Sequence, residues 1–188
     1  CIHLEKTHLI IKLIRALIDH YQLDTIILTE TNVPHQDNIS YFGNGTDEAH
    51  MVYNFTLPPL VLYSCVFGDA EVLKSWASTL PQEQQGRYFL NFLASHDGIG
   101  ITPGYDWIPK DDVAHLEQAI RDRGGLISYK AVREGSIAYE YNINYFSAVA
   151  DPDLDEQQRI DCFLTSQAVM LELAGVPGMY IHSLLGSE

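Results

Sequence analysis

The chain has 188 residues, 46% of them hydrophobic and 19% charged, with a formal net charge of −14, the profile of one ordinary globular core. So acidic a chain repels polyanions, which excludes nucleic acid as a partner and disfavours anionic membranes. No apolar run approaches the length of a spanning helix and no signal-peptide pattern opens the chain; a cytoplasmic protein is expected because the three cysteines Cys1, Cys65 and Cys162 read as free thiols of a reducing compartment.

In chain order, Leu9, Ile10, Leu13, Ile14, Leu17 and Ile18 repeat at helical spacing, which predicts an amphipathic helix over residues 7–21. The run Thr25-Ile-Ile-Leu-Thr-Glu30 is short, apolar and β-branched, the pattern of a strand buried on both faces, ending at Glu30. A polar loop is expected over 31–49, then a short strand over 51–55. Pro58-Pro59 opens a helical stretch, interrupted near Gly68-Asp69 and stopped at Pro81. Residues 88–94 read as a third apolar strand leading into Ser95-His96-Asp97-Gly98.

Residues 98–154 read as an insertion carrying a helix over 111–123, stopped by Gly124-Gly125, and aromatic-rich segments around 128–129 and 139–146. Asp151-Pro152 signals another helix start. Its apolar face runs through Ile160, Phe163, Leu164, Ala168, Leu171 and Ala174, and Gly175 and Pro177 end it. A fourth strand is expected over 179–182. Strands alternating with helices predict a parallel α/β sheet, with long loops gathered on the rim where such sheets bind ligands. A TIM barrel has eight strands in about 250 residues, so four strands make a partial (β/α)8 barrel. The expected division is 1–97 as partial barrel, 98–154 as insertion or lid, and 155–188 as the last helix and strand.

Cys1, Cys65 and Cys162 are odd in number and far apart, which reads as free thiols and neither a zinc site nor a disulfide framework. His3, Glu5 and His8 do not have the spacing of a zinc helix, and no glycine pattern matches a phosphate loop or dinucleotide turn. No metal and no cofactor are therefore expected. Trp76 and Trp107 read first as core or lid residues, with Trp107 the better sugar platform.

Glu30 and Asp97 stand at equivalent places, the carboxyl ends of two buried strands separated by one other. In a barrel such side chains converge on one mouth. Paired carboxylates there are the equipment for glycoside cleavage, one as general acid and another ionised against an oxocarbenium-like transition state. His96 is placed to donate to a sugar hydroxyl. Each of the three, taken alone, is more often structural.

The segment Asn91-Phe-Leu-Ala-Ser-His96-Asp97-Gly98-Ile-Gly100 resembles the His-Asp motif of the α-amylase family (glycoside hydrolase family 13). Leu28-Thr-Glu30-Thr-Asn-Val-Pro-His35 resembles that family's acid/base motif. Asn38-Ile-Ser-Tyr-Phe-Gly43, Phe55-Thr-Leu-Pro-Pro-Leu60, Gly125-Leu-Ile-Ser-Tyr-Lys130, Tyr139-Glu-Tyr-Asn-Ile-Asn-Tyr-Phe146 and Gly175-Val-Pro-Gly178 are similar to the sucrose phosphorylase branch, which includes sucrose 6-phosphate and glucosylglycerate phosphorylases. Ser95 stands where many amylases have Asn.

The resemblance implies retaining α-glucosyl transfer on a TIM barrel, from an α-glucoside to inorganic phosphate. It implies Glu30 as general acid/base, Asp97 as transition-state stabiliser and His96 as a glucosyl-binding residue, with Asn32 and His35 beside them. Tyr139 and Glu140 resemble the loop facing the acceptor or phosphate side, where Glu140 replaces an amide of some sucrose enzymes. Lys130 and Arg133 are cations suited to a phosphate or carboxylate, or else the solvated cations of a hairpin. His182 lines the same mouth or is satisfied in the core.

The family's nucleophile is an Asp in an Arg-x-Asp motif at the preceding barrel strand, and no expected strand of this chain carries that motif. A retaining enzyme needs nucleophile and acid about 5–5.5 Å apart. The chain by itself is therefore expected to be an inactive fragment, its two ends cuts through a larger fold. A half barrel leaves strand edges uncovered, so self-association is expected. A hydrolase of the same family, and a sugar-binding or interaction module without turnover, are the competing readings.

Overall fold

The computed structural model of the chain describes residues 4–80, 86–133 and 135–187. The expected helix stop at Pro81, Cys1 and His3 lie outside them. The first helix, α1 (Glu5–His20), carries Glu5 in its first turn, favourable for the helix dipole. Its polar side is tied to the loop before the second strand. The Lys12 ammonium lies 2.9 Å from Asp47, and the Arg15 guanidinium donates to the Glu48 carbonyl at 3.0 Å. Its apolar side is open: Leu9, Ile10, Leu13, Ile14 and Leu17 are exposed, and Ile18 alone of the helix is buried.

Strands β1 (Leu28–Thr29), β2 (Met51–Tyr53) and β3 (Tyr88–Asn91) are parallel neighbours, with Leu28 opposite Met51 and Val52 opposite Phe89. Between β1 and β2, where sequence predicts only a polar loop, lies the helix α2 (His35–Ser40). Its inward residues are His35 and Asn38, both polar, so no apolar periodicity announces it. Asn38 Nδ2 donates to the Tyr53 carbonyl at 2.7 Å, and Thr31 Oγ1 donates to Asn38 Oδ1 at 3.0 Å. This helix thereby ties the loop leaving β1 to β2.

Pro58 and Pro59 sit in the first turn of α3 (Leu57–Phe67), where a missing N–H costs no helical bond. Gly68, left-handed at φ 65°, caps it before α4 (Glu71–Ala77). The expected insertion opens with β4 (Ile99–Gly100) and a 3-10 turn over Thr102–Asp106, followed by α5 (Lys110–Asp122). The hairpin β5 (Leu126–Val132) and β6 (Gly135–Asn142) follows, so the two aromatic-rich segments are hairpin strands. The second sheet is antiparallel in the order β4-β6-β5. It shares one core with the helices: Leu60, Trp76, Ile99, Leu116, Ile120, Tyr141, Tyr145 and Met170 belong to a single buried cluster.

After the short helix α6 (Tyr145–Val149), α7 (Glu156–Glu172) starts at Asp155, whose carboxylate accepts from Gln158 N–H in a capping box. Sequence placed the fourth strand over 179–182. The observed strand is β7 (Val176–Pro177), paired with Leu90 and Asn91, and Ile181–Leu184 form a helical turn, α8. The shift has a local cause. The Asn91 side chain donates to the Leu173 and Ala174 carbonyls at 3.1 and 3.3 Å, and the Asn91 backbone carbonyl accepts from Gly178 N–H at 2.7 Å. These bonds draw residues 173–178 against β3, and the chain has left the sheet by Met179. The order β1-β2-β3-β7 is the parallel, helix-crossed sheet of a partial barrel. Among the described residues, no helix is long and apolar enough to cross a membrane.

Candidate active site

Glu30 follows β1, Phe55 follows β2 by two residues, and Asp97 lies in the loop that leaves β3, so all three emerge at the carboxyl ends of parallel strands. Their side chains meet at one cavity of about 340 Å³, lined by Glu30, Thr31, Asn32, Phe55, His96, Asp97, Gly98, Gly100, Tyr139 and Glu140. Six residues singled out from sequence are thus brought together: Glu30, Asn32, His96, Asp97, Tyr139 and Glu140. A larger adjoining cavity of about 670 Å³ shares His96, Asp97, Gly98 and Gly100, and is bordered on its far side by Asn142, Asn144, Tyr180 and His182. His182 reaches the mouth from α8, not from the end of a strand.

The Asp97 loop is braced locally: Asp97 N–H donates to Ser95 Oγ at 3.1 Å, and the His96 ring nitrogen lies 3.5 Å from the Asp97 carboxylate. Both side chains are exposed and available to a ligand. Tyr53 packs near Glu30. Burial, reinforced by the Glu30 charge, holds its phenol above the ordinary value. Glu140 feels burial first and the neighbouring Asp97 charge second. Both raise its carboxyl pKa, while an N–H from Gly98 works the other way. Three carboxyl groups therefore share one wall, one of them biased toward its protonated form.

Two glycines make this juxtaposition possible. A β-carbon on Gly98 would lie 2.7 Å from Glu140 Cγ and 2.7 Å from the Tyr141 carbonyl oxygen; one on Gly100 would lie 2.6 Å from Asn32 Nδ2. Glu140 and Asn32 rest on the bare backbone that follows Asp97. In the sequence, Phe55, Gly98 and Gly100 stand within the quoted motifs without an assigned role. The available signal for Phe55 was its place after β2, equivalent to that of Glu30 after β1.

A second feature was invisible in the sequence. In a regular strand Tyr139 and Glu140 face opposite sides, yet both line the cavity. Ser128 pairs with Glu140 and the next residue, Tyr129, pairs with Ala138, so Tyr139 is the extra residue of a β-bulge. The bulge places Tyr139 and Glu140 side by side between two buried neighbours, Ala138 and Tyr141.

Three residues expected at the site lie elsewhere. His35 is only 7% exposed: its Nδ1 pairs with Thr56 Oγ1 at 2.9 Å and its ring packs against Trp76 and Phe89. Burial lowers its pKa. Its place in α2 turns His35 into the core, away from the cavity. The Lys130 ammonium donates to Thr102 Oγ1 at 3.2 Å and lies 5.3 Å from the centre of the Tyr139 ring. Arg133 is exposed next to the hairpin turn. Trp76 is fully buried, and Trp107 packs against the main core, not on the cavity. No group of three or more potential metal-ligating side chains occurs among the described residues.

No family model matches the chain. Glucosylglycerate phosphorylase of Spirochaeta thermophila is 51% identical over 188 residues, all of this chain but 32% of that protein. The Escherichia coli enzyme of the same name is 46% identical, again over the whole chain and 34% of its own length. Among solved structures, sucrose 6F-phosphate phosphorylase from Thermoanaerobacter thermosaccharolyticum superposes with a TM-score of 0.77 at 21% identity, over 97% of this chain and 35% of that one. The chain spans about a third of the length of the relatives it matches. Sequence and fold together bear out the resemblance to the sucrose phosphorylase branch of the α-amylase family, and the chain is similar to one part of that branch's (β/α)8 barrel.

Proposed function

We propose that this chain supplies the acid/base and acceptor side of a retaining α-glucosyl phosphorylase acting on an α-glucoside of glycerate, with inorganic phosphate as acceptor and α-glucose 1-phosphate as product. The observation that carries the reading is the single cavity onto which Glu30, Asp97, His96, Tyr139 and Glu140 open. Its support is the similarity to glucosylglycerate phosphorylases along the whole chain.

In this reading Glu30 protonates the departing glycosidic oxygen and later takes the proton of the incoming phosphate. Asp97 remains ionised and stabilises positive charge developing at the anomeric carbon. His96 donates to a glucosyl hydroxyl. Asn32 flanks Glu30, and Tyr139 and Glu140 shape the acceptor side, with His182 across the adjoining cavity. The glucosyl unit is carried by a carboxylate from the family's strand-borne Arg-x-Asp motif, which no strand described here carries. Residues 98–154 act as the acceptor-side lid. The protein works in the cytoplasm, where phosphate and sugar phosphates are held, and the open edges of its partial sheet pair with other protein.

The test is product analysis with the full-length protein, α-glucosylglycerate and phosphate. Glucose 1-phosphate as the main product supports the proposal, and free glucose released at the same rate with or without phosphate means a hydrolase. Glu30→Gln is expected to lower kcat by about 10²- to 10⁴-fold. Ligand binding with no turnover of any α-glucoside by the full-length protein would leave the sugar-binding module as the better reading.

A further inference from the structure

Lys130 lies on the outer hairpin strand, yet its ammonium contacts a residue beyond the far strand of that sheet. The sheet order is β4-β6-β5. From β5 the side chain passes over the Tyr139 ring, 5.3 Å from its centre, and donates to Thr102 Oγ1 just after β4. Thr102 is buried in the 3-10 turn, so the anchor is part of the body of the protein. The crossing falls on the bulge, where Tyr139 is the unpaired residue. Two further bonds hold the bulge: the Tyr105 hydroxyl donates to the Ala138 carbonyl at 2.9 Å, and Ile101 N–H donates to the Tyr139 carbonyl at 3.0 Å. These bonds fix backbone. Lys130 touches the ring itself and is not among the residues lining the cavity.

We propose that Lys130 is a positioning residue for the acceptor side of the cavity. By stapling β5 to Thr102 across the face of Tyr139, it holds the bulged Tyr139 and Glu140 side by side on the wall shared with Asp97. It acts through Tyr139 and does not itself bind the phosphate or carboxylate group of a substrate. The inference rests on the phosphorylase reading for its consequence in catalysis, and on the hairpin geometry alone for the staple.

The physics favours such a part here. A cation over an aromatic face resists tilting of the ring, and its hydrogen bond to an anchored hydroxyl resists sliding of the strand. A bulge lacks one of the ladder contacts that would otherwise fix its side chains. Lys130 replaces that constraint with one from the neighbouring strand.

The test uses the full-length protein. Lys130→Met is expected to raise the KM for phosphate about three- to tenfold with a smaller change in kcat. Lys130→Arg, whose guanidinium also stacks on aromatic faces, restores KM to within about twofold. In a Tyr139→Leu background Lys130→Met adds less than twofold, because the ring through which it acts is gone. Thr102→Val, which keeps the cation and removes its anchor, raises KM in the same direction.

A loss of equal size in the Tyr139→Leu background would make Lys130 a direct anion ligand and overturn the proposal, as would an unchanged KM in Lys130→Met. Amide exchange at Ile101, the donor to Tyr139, supplies a readout independent of turnover: it speeds up in Lys130→Met if the staple holds the bulge. Unchanged Ile101 exchange refutes the staple, even if the wild-type protein forms no glucose 1-phosphate and the phosphorylase reading itself falls.

Discussion

Adding one methyl group at Gly98 and one at Gly100 separates two kinds of close approach that bring the acids together. Neither glycine has a positive φ, so alanine meets no conformational objection, and replacing glycine alone stabilises by about 0.4–1 kcal/mol through the unfolded chain. The obstacles differ. At Gly98 the new carbon lies 2.7 Å from both Glu140 Cγ and the backbone carbonyl of Tyr141, which is locked in the sheet. At Gly100 the nearest atoms belong to the Asn32 side chain, 2.6–2.9 Å away, which can turn aside. Overpacking against structure that cannot move costs about 1–3 kcal/mol. Gly98→Ala is therefore expected to destabilise by about 1–2 kcal/mol net, and Gly100→Ala by less than about 1 kcal/mol. Asn32→Ala restores Gly100→Ala fully and leaves Gly98→Ala unrelieved. Urea denaturation midpoints of the wild type, the three single and the two double variants measure this directly. The steric account is refuted if the two glycine variants are equally stable, or if Asn32→Ala fails to rescue its neighbour.

Three further outcomes follow from the described contacts. Glu140 keeps its proton to a higher pH folded than unfolded, through burial and the Asp97 charge. Its contribution to stability is full below the ordinary carboxyl range and is lost as pH rises through the raised value. Glu140→Gln should flatten the fall of the denaturation midpoint as pH rises above the ordinary carboxyl range, and Asp97→Asn should reduce it in part. An unaltered pH profile in both variants contradicts the pairing. Asn91→Ala removes one buried hydrogen bond, from Asn54 Nδ2 at 2.9 Å, and two partly buried ones, to the carbonyls of Leu173 and Ala174. It should cost about 2–4 kcal/mol and, by amide exchange, loosen Gly178 before β2. The exposed row Leu9, Ile10, Leu13, Ile14 and Leu17 should make the 188-residue chain self-associate. Sedimentation should show a concentration-dependent mass that Leu13→Glu reduces, and a monomer at all concentrations would argue that this face stays solvated.

Much of this arrangement was legible because the strands of a parallel sheet read as short apolar runs that end at the rim, although the first of them is not buried on both faces as expected: Ile26 and Leu28 are exposed at the edge of the partial sheet. Glu30 and Asp97 were found that way, without a contact map. Residues placed by tertiary packing were not legible. The α2 helix hides behind polar residues, since Asn38 and His35 point inward and satisfy hydrogen bonds instead of forming an apolar face. His35 looked like a ligand for the same reason: a histidine in a polar stretch gives no sign that its ring will stack on Phe89. The extra residue at Tyr139 changes which side chains share a face without changing composition, and strict alternation misassigns it. The fourth strand was placed three residues late because Met179 and Ile181 are as apolar as Val176. The deciding contact comes from Asn91, more than 80 residues earlier.

The amide of Asn91 has a wider consequence. Strands such as Val52 to Tyr53 and Phe89 to Leu90 offer nearly interchangeable aliphatic and aromatic bumps, and sliding one past its neighbour would bury similar area. Asn54 and Asn91 occur once each, both fully sequestered from solvent, and any slip would strand two amides in oil with nothing to bond. That penalty works like the notch on a key. It discriminates among otherwise similar alignments, so Glu30 and Asp97 arrive at the rim at matching heights because a pair of neutral side chains in the sheet below tolerates only one alignment.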